Sequence, residues 1–141
     1  MNLWQKLSKE PEWTNSNITH EEIRNAYYLA MDSMATLNKN SSVLLKRYKS
    51  HGATDVTGFG ILGHAQNLAT AQQQDVDLII DLLPIIDAME RKLPGFHDFK
   101  VCGGYSAETS GGILTMMAPQ NAREFIKASI GEFGQTTWIV G

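Results

Sequence analysis

The chain has 141 residues, 43% hydrophobic and 19% charged, with a formal net charge of −3. That balance gives one globular domain with a real core and excludes a disordered chain. Without a basic excess nothing predicts nucleic-acid or membrane-surface binding. The single cysteine, Cys102, excludes an intrachain disulfide and leaves no cysteine set for zinc.

Met1-Asn2-Leu3-Trp4-Gln5-Lys6 lacks the apolar core of a secretory signal, and no apolar run reaches bilayer-spanning length. The expectation is a cytoplasmic protein, in which the sequons Asn17-Ile18-Thr19 and Asn40-Ser41-Ser42 carry no meaning. Residues 1–18 show no sustained period and read as a lead-in that packs Trp4 and Trp13 onto a domain over 19–141. Thr19-His20-Glu21-Glu22 fits a capping box. It predicts a long helix whose stripe of Ile23, Ala26, Tyr27, Ala30, Met34, Leu37, Leu44, Leu45 and Tyr48 is a buried face. Lys46, Arg47 and Lys49 suit the negative end of that helix, and Gly52 stops it.

Residues 51–57 read as a short polar stretch, and 58–74 as a helix after a glycine-rich start. Val76–Ile80 is a β-type run ending at Asp81. Pro84 opens a brief helix with Ile85, Ile86 and Met89, ending by Pro94-Gly95. A glycine-rich loop over 94–112 leads to a second β run, Ile113–Met117. Pro119 suits the first position of a helix through Ile130, broken by Gly131 and Gly134. Thr136–Val140 is a third β run, whose partner lies earlier in the chain or is missing. The mixture predicts a layered α/β or α+β domain.

Gly58-Phe59-Gly60-Ile61-Leu62-Gly63 matches the dinucleotide-binding pattern G-x-G-x-x-G letter for letter. That fingerprint needs a buried apolar strand directly before the first glycine. The preceding residues, Ser50 to Thr57, contain only Val56 as a strong strand former, which argues against a nicotinamide or flavin site. There is no phosphate-binding G-x-x-x-x-G-K-S/T either. What the segment offers is backbone that a ligand can approach closely at Gly58 and Gly60. Thr54, Asp55 and Thr57 add oxygen ligands before a helix. A carboxylate there either caps the helix, its commoner use, or holds Mg²⁺ beside phosphate oxygens.

The run from His51 through Ala69 closely resembles the signature of selenophosphate synthetases, A-T-D-V/I-T-G-F-G-I/L-L-G-H-A, and Gln66-Asn67-Leu68 is similar to the eukaryotic branch. A second block, Glu108-Thr109-Ser110-Gly111-Gly112-Ile113-Leu114, resembles that family's E/Q-T-S-G-G-L/I-L. The resemblance covers the chain from the capping box to Gly141. It implies the carboxy-terminal domain shared with aminoimidazole ribonucleotide synthetase: α+β, three-layer α/β/α around a mixed sheet. It implies an enzyme that converts ATP, selenide and water to selenophosphate, AMP and phosphate, with Mg²⁺ as cofactor. Carried over residue by residue, Asp55 becomes a Mg²⁺ ligand. Thr54, Thr57, Gly58, Thr109, Ser110 and Gly111 become candidates to line the nucleotide channel. The Thr109–Gly112 segment is equally readable as a tight turn into the strand at Ile113. His51 and His64 read as packed residues, His20 and His97 as surface or loop residues, and Cys102 as packed rather than nucleophilic.

Three departures from the family matter. No stretch resembles its amino-terminal domain, so the nucleophile, its lysine, the glycine-rich flap and the other Mg²⁺-binding aspartates are absent. The last strands of the carboxy-terminal domain are expected to be cut off after Gly141, leaving an open edge that invites a homodimer. Ala107 stands where the family commonly has proline. The implied partners are therefore the amino-terminal ATP-binding domain and selenide. The chain alone is expected to be inactive, since one carboxylate cannot assemble a multi-metal ATP site. A competing reading is a non-catalytic fragment or paralogue that acts by associating with a full-length synthetase. A third, another member of the fold superfamily such as a thiamine phosphate kinase, is opposed by the D-V-T-G-F-G-I-L-G-H-A run.

Overall fold

The computed structural model describes residues 18–90 and 100–141. Expectations placed on Trp4, Trp13, Pro94-Gly95 and His97 lie outside the described residues. Helix α1, His20–Ala35, starts on the expected capping box. The Glu22 amide donates to Thr19 Oγ1 (3.2 Å), and the Thr19 amide to Glu22 Oε2 (2.7 Å). The long helix expected through Tyr48 is two helices. The chain turns extended at Thr36 (φ −71°, ψ 120°), and α2 runs Lys39–Arg47. Thr36 bonds its hydroxyl back to the Asp32 carbonyl (2.8 Å), and Thr and Asn are residues whose side chains compete with helical bonding. The apolar stripe is divided as well: Ala26 and Leu44 are buried, whereas Tyr27, Met34 and Leu37 are exposed.

Helix α2 ends through Lys49 in the left-handed region (φ 53°). The Ser50 amide returns to the Leu45 carbonyl (3.0 Å) and the Lys49 amide to the Lys46 carbonyl (3.4 Å). This double closure satisfies carbonyls that the helix leaves open. The next stretch, expected as a polar connection, contains strand β1, Gly52–Asp55. It pairs antiparallel with β2, Ile113–Met116, in the register Gly52↔Met116 to Asp55↔Ile113. Helix α3, Gly60–Thr70, lies over this pair, and the Gly52 face points at Leu68 and Gln72. Val56, Ala65 and Leu68 are buried at that contact. A strand does precede the glycine motif, but it is not the buried apolar strand the dinucleotide fingerprint needs, since none of its four residues is buried. The antiparallel pairing excludes a dinucleotide fold as well, because the fingerprint belongs to a parallel βαβ unit.

Helix α4, Pro119–Phe133, begins on Pro119 as expected, runs through Gly131, and ends at left-handed Gly134 (φ 63°). It packs on α2: Leu44, Phe125 and Ala128 are buried together, with Leu45, Tyr48, Met117 and Phe133 against them. Tyr48 and Phe125 meet edge-to-face at 6.1 Å. Leu44 is fully buried, so Leu44→Ala is expected to destabilise by about 3 kcal/mol through lost contacts and a residual cavity. A lowered denaturant midpoint at constant slope is the expected reading; an unchanged midpoint would show that α2 and α4 do not seal against each other.

The runs 76–80 and 136–140 form no strand ladder, but they meet. The Asp81 and Leu82 amides both donate to the Val140 carbonyl (2.9 and 3.2 Å), and Gly141 lies against the Ile79 backbone with no room for a Cβ. The last run thus has its neighbour earlier in the chain. Instead of a helix after Pro84 there is a turn over 87–90. There Asp87 Oδ1 accepts from the Ala88 amide (2.9 Å) and draws it out of helical bonding. The class is α+β, with an antiparallel ladder and helices on it and beside it.

Candidate functional site

The hydrogen bonding of β1 and β2 continues past both strands and joins the two glycine-containing blocks. The Val56 amide donates to the Gly112 carbonyl (2.9 Å) and the Glu108 amide to the Thr57 carbonyl (2.9 Å). Residues 55–57 of the first block therefore run beside 108–113 of the second. The approach leaves no space at Gly111. A Cβ there would fall within the Val56 carbonyl oxygen and 2.6 Å from Glu108 Oε2. Ser110 before it is left-handed, φ 51°, and Asn38 Nδ2 donates to the Gly111 carbonyl (3.1 Å).

A second seam ties the start of α3 to the loop after Val101–Gly103, a 3₁₀ turn. Gly60 has φ 68°, and a Cβ on it would lie 2.7 Å from the Tyr105 carbonyl carbon and 2.8 Å from the Gly104 oxygen. The Leu62 amide donates to that same Gly104 carbonyl (3.0 Å). His64 is buried, as expected, and its ring lies 5.6 Å from that of Phe59. Its Nε2 lies 3.0 Å from the Thr57 amide nitrogen and 3.2 Å from the Thr57 hydroxyl. The amide can only donate, so Nε2 is its acceptor, and the hydroxyl stands beside the same nitrogen at longer range. Two packing expectations are corrected: His51 and Cys102 are exposed.

Asp55 ends β1 with its side chain exposed. Pleating turns Thr54 and Val56 toward α3 and Asp55 to the opposite side. Among the described residues its carboxylate makes no hydrogen bond or ion pair. Nor does it cap the following helix: Phe59 occupies the cap position of α3, which has no side-chain cap bond. That overturns the capping alternative. Thr54 Oγ1 donates to the neighbouring Asp55 carbonyl (3.0 Å). Gly58 faces open space, Thr109 and Ser110 are exposed on their turn, and Gly111 is buried beneath it. Among the described residues the amides of Gly58, Thr109 and Ser110 carry no hydrogen bond.

The donor chemistry fits a hard cation in part. Mg²⁺ takes one or two carboxylates and fills its octahedron with phosphate oxygens and water, and an unpaired exposed carboxylate supplies one such ligand. Among the described residues no three His, Cys, Asp or Glu side chains come together to hold a metal. No helix among them is long and apolar enough to cross a membrane.

Partial burial pushes the Glu108 carboxyl above its ordinary 4.5, with the His64 ring acting in the opposite sense. A raised folded value means the native state binds this proton more tightly than the unfolded chain. The associated stability is complete below about pH 4.5 and is lost as pH rises through the folded value. The size is modest, since the side chain is largely exposed. Glu108→Gln, which cannot ionise, is expected to match the parent in acid and to exceed its thermal midpoint near neutrality. Parallel curves for the two proteins across pH would contradict this.

Sequence reasoning missed Asn38 and the 104–106 backbone. Asn38 lies in neither block, and its only signal is a turn-forming residue inside an otherwise helical pattern.

Residues 19–141 match the family described as AIR synthase related protein, C-terminal domain. The chain is 44% identical over 144 residues to the selenide, water dikinase of Dictyostelium discoideum, covering 100% of this chain and 40% of that protein. It is 41% identical over 130 residues to a probable selenide, water dikinase of Caenorhabditis elegans, covering 89% of this chain and 34% of the relative. It is 41% identical over 146 residues to human selenide, water dikinase 2, covering 100% and 33%. The chain thus spans between a third and two fifths of the length of these relatives.

Proposed function

Because the chain belongs to the family of AIR synthase related C-terminal domains, we propose that it is the carboxy-terminal domain of an ATP-dependent selenophosphate synthetase. The parent enzyme would convert ATP, selenide and water to selenophosphate, AMP and phosphate. The observation that carries this reading is Asp55: exposed, without a partner among the described residues, and placed where the two blocks meet. Magnesium, when bound, spreads the negative charge that builds on phosphate oxygens. Asp55 contributes one carboxylate to that cation. The free amides of Gly58, Thr109 and Ser110 would be available to phosphate oxygens, with Gly111 as the floor of the Thr109–Gly112 turn. Thr57 holds the edge of the same channel, with His64 against its amide, while Thr54, on the α3 side of β1, supports that edge from behind through its bond to the Asp55 carbonyl. The remaining ligands and the nucleophile come from the amino-terminal ATP-binding domain, and selenide is the small-molecule acceptor.

The test is a chimera in which residues 19–141 replace the matching segment of the Dictyostelium selenide, water dikinase, with selenophosphate followed by ³¹P NMR. Product is expected from the chimera and none from the isolated chain. Product from the chain alone contradicts the division of labour. A folded chimera that forms none favours the associating, non-catalytic reading instead.

A further inference from the structure

We propose that Asn38 is a positioning residue for the Thr109–Gly112 turn, holding the Gly111–Gly112 peptide in the orientation on which nucleotide binding depends; this rests on the synthetase reading above. Asparagine is among the strongest helix N-caps, and Asn38 occupies the cap position of α2. It makes no cap bond. Its Nδ2 instead donates to the Gly111 carbonyl, 73 residues away in sequence, at 3.1 Å. The break between α1 and α2 at Thr36–Asn38 frees this side chain from the helical pattern and brings it to the turn.

The peptide it grips is the one in the turn most able to rotate. Gly111 and Gly112 flank it, and glycine adopts left- and right-handed conformations with similar ease. Ser110, one residue earlier, is already in the left-handed region, where side-chain-bearing residues are uncommon. Three contacts fix the local geometry. Gly111 is pressed onto the Val56 carbonyl, the Gly112 carbonyl accepts from the Val56 amide, and the Gly111 carbonyl accepts from Asn38. A trans-planar peptide carries its C=O and N–H as one rigid unit, so anchoring the Gly111 oxygen sets the plane of the whole unit. The first two contacts come from Val56, the residue that follows Asp55 at the end of β1. The third ties the turn to α2 and completes its restraint.

Asn38→Asp separates positioning from ordinary helix support. Aspartate keeps the shape and caps helices as well as asparagine, but a carboxylate cannot donate to a carbonyl. In the 141-residue chain the variant is expected to speed amide exchange of Val56 by about fivefold, the order set by one lost hydrogen bond. Its thermal midpoint is expected to fall only slightly, as one lost hydrogen bond requires, and to a similar extent in Asn38→Ala. Asn38→Ala, which removes the donor without adding charge, is expected to give the same release. In the chimera, Asn38→Asp is expected to raise KM for ATP about fivefold. Unchanged Val56 exchange in both variants overturns the inference. Faster exchange with an unchanged KM for ATP overturns the nucleotide reading on which it rests.

Discussion

Gly111→Ala is expected to cost about 4 kcal/mol and to part the two glycine-containing blocks from each other. A Cβ at this position cannot coexist with the Val56 carbonyl oxygen, and Glu108 Oε2 stands 2.6 Å away on the same side. The Glu108 side chain can swing clear, but the Val56 oxygen belongs to the backbone just past β1. Relief therefore requires the end of β1 to move from the loop, which breaks the bond from the Val56 amide to the Gly112 carbonyl. Gly112 supplies an internal control. A Cβ there meets nothing within 4 Å, and the residue is not in the left-handed region. Gly112→Ala is expected to be neutral or slightly stabilising by restricting the unfolded chain. Denaturant midpoints of the two variants, with Val56 exchange as the local reporter, decide the matter. Equal destabilisation at both positions would contradict the close approach at Gly111.

What could be read from the sequence is what local chemistry fixes. The Thr19–Glu22 capping box, Pro119 at the start of α4 and the β-branched start of β2 at Ile113 each carry their own signal within a few residues. The break after Ala35 does not. Leu37 and Leu44 continue the apolar pattern across it, and at the break Asn38 bonds to a turn 73 residues away rather than to its own helix. Strand β1 was equally hidden. Gly52 and Ala53 have little strand preference, and the segment is a strand because β2 pairs with it. Val76–Ile80 shows the reverse: a strong β composition that touches the end of the chain, where Gly141 lies against Ile79 and the Val140 carbonyl accepts from Asp81 and Leu82, and forms no ladder. In the site, the two blocks name Asp55 and the turn at Thr109–Gly111, but only the fold shows that they are neighbours. The capping role of Asp55 could be set aside only with coordinates, because a carboxylate before a helix reads alike as cap or ligand; its metal role is the proposal.

Asp55→Asn is the second large effect expected, and it falls on activity rather than stability. The carboxylate has no partner among the described residues, so neutralising it removes no native contact, and the thermal midpoint is expected to hold. Loss of one anionic ligand to a cation that screens phosphate charge is worth several kcal/mol in the transition state, or about 100-fold or more in rate. The apparent Mg²⁺ requirement should rise with it. The decisive measurement is the rate of selenophosphate formation against Mg²⁺ concentration for the chimera and its Asp55→Asn form. A roughly 100-fold lower rate and a curve displaced to higher Mg²⁺, at unchanged stability, is the predicted result. Superimposable curves would show that Asp55 holds no catalytic metal.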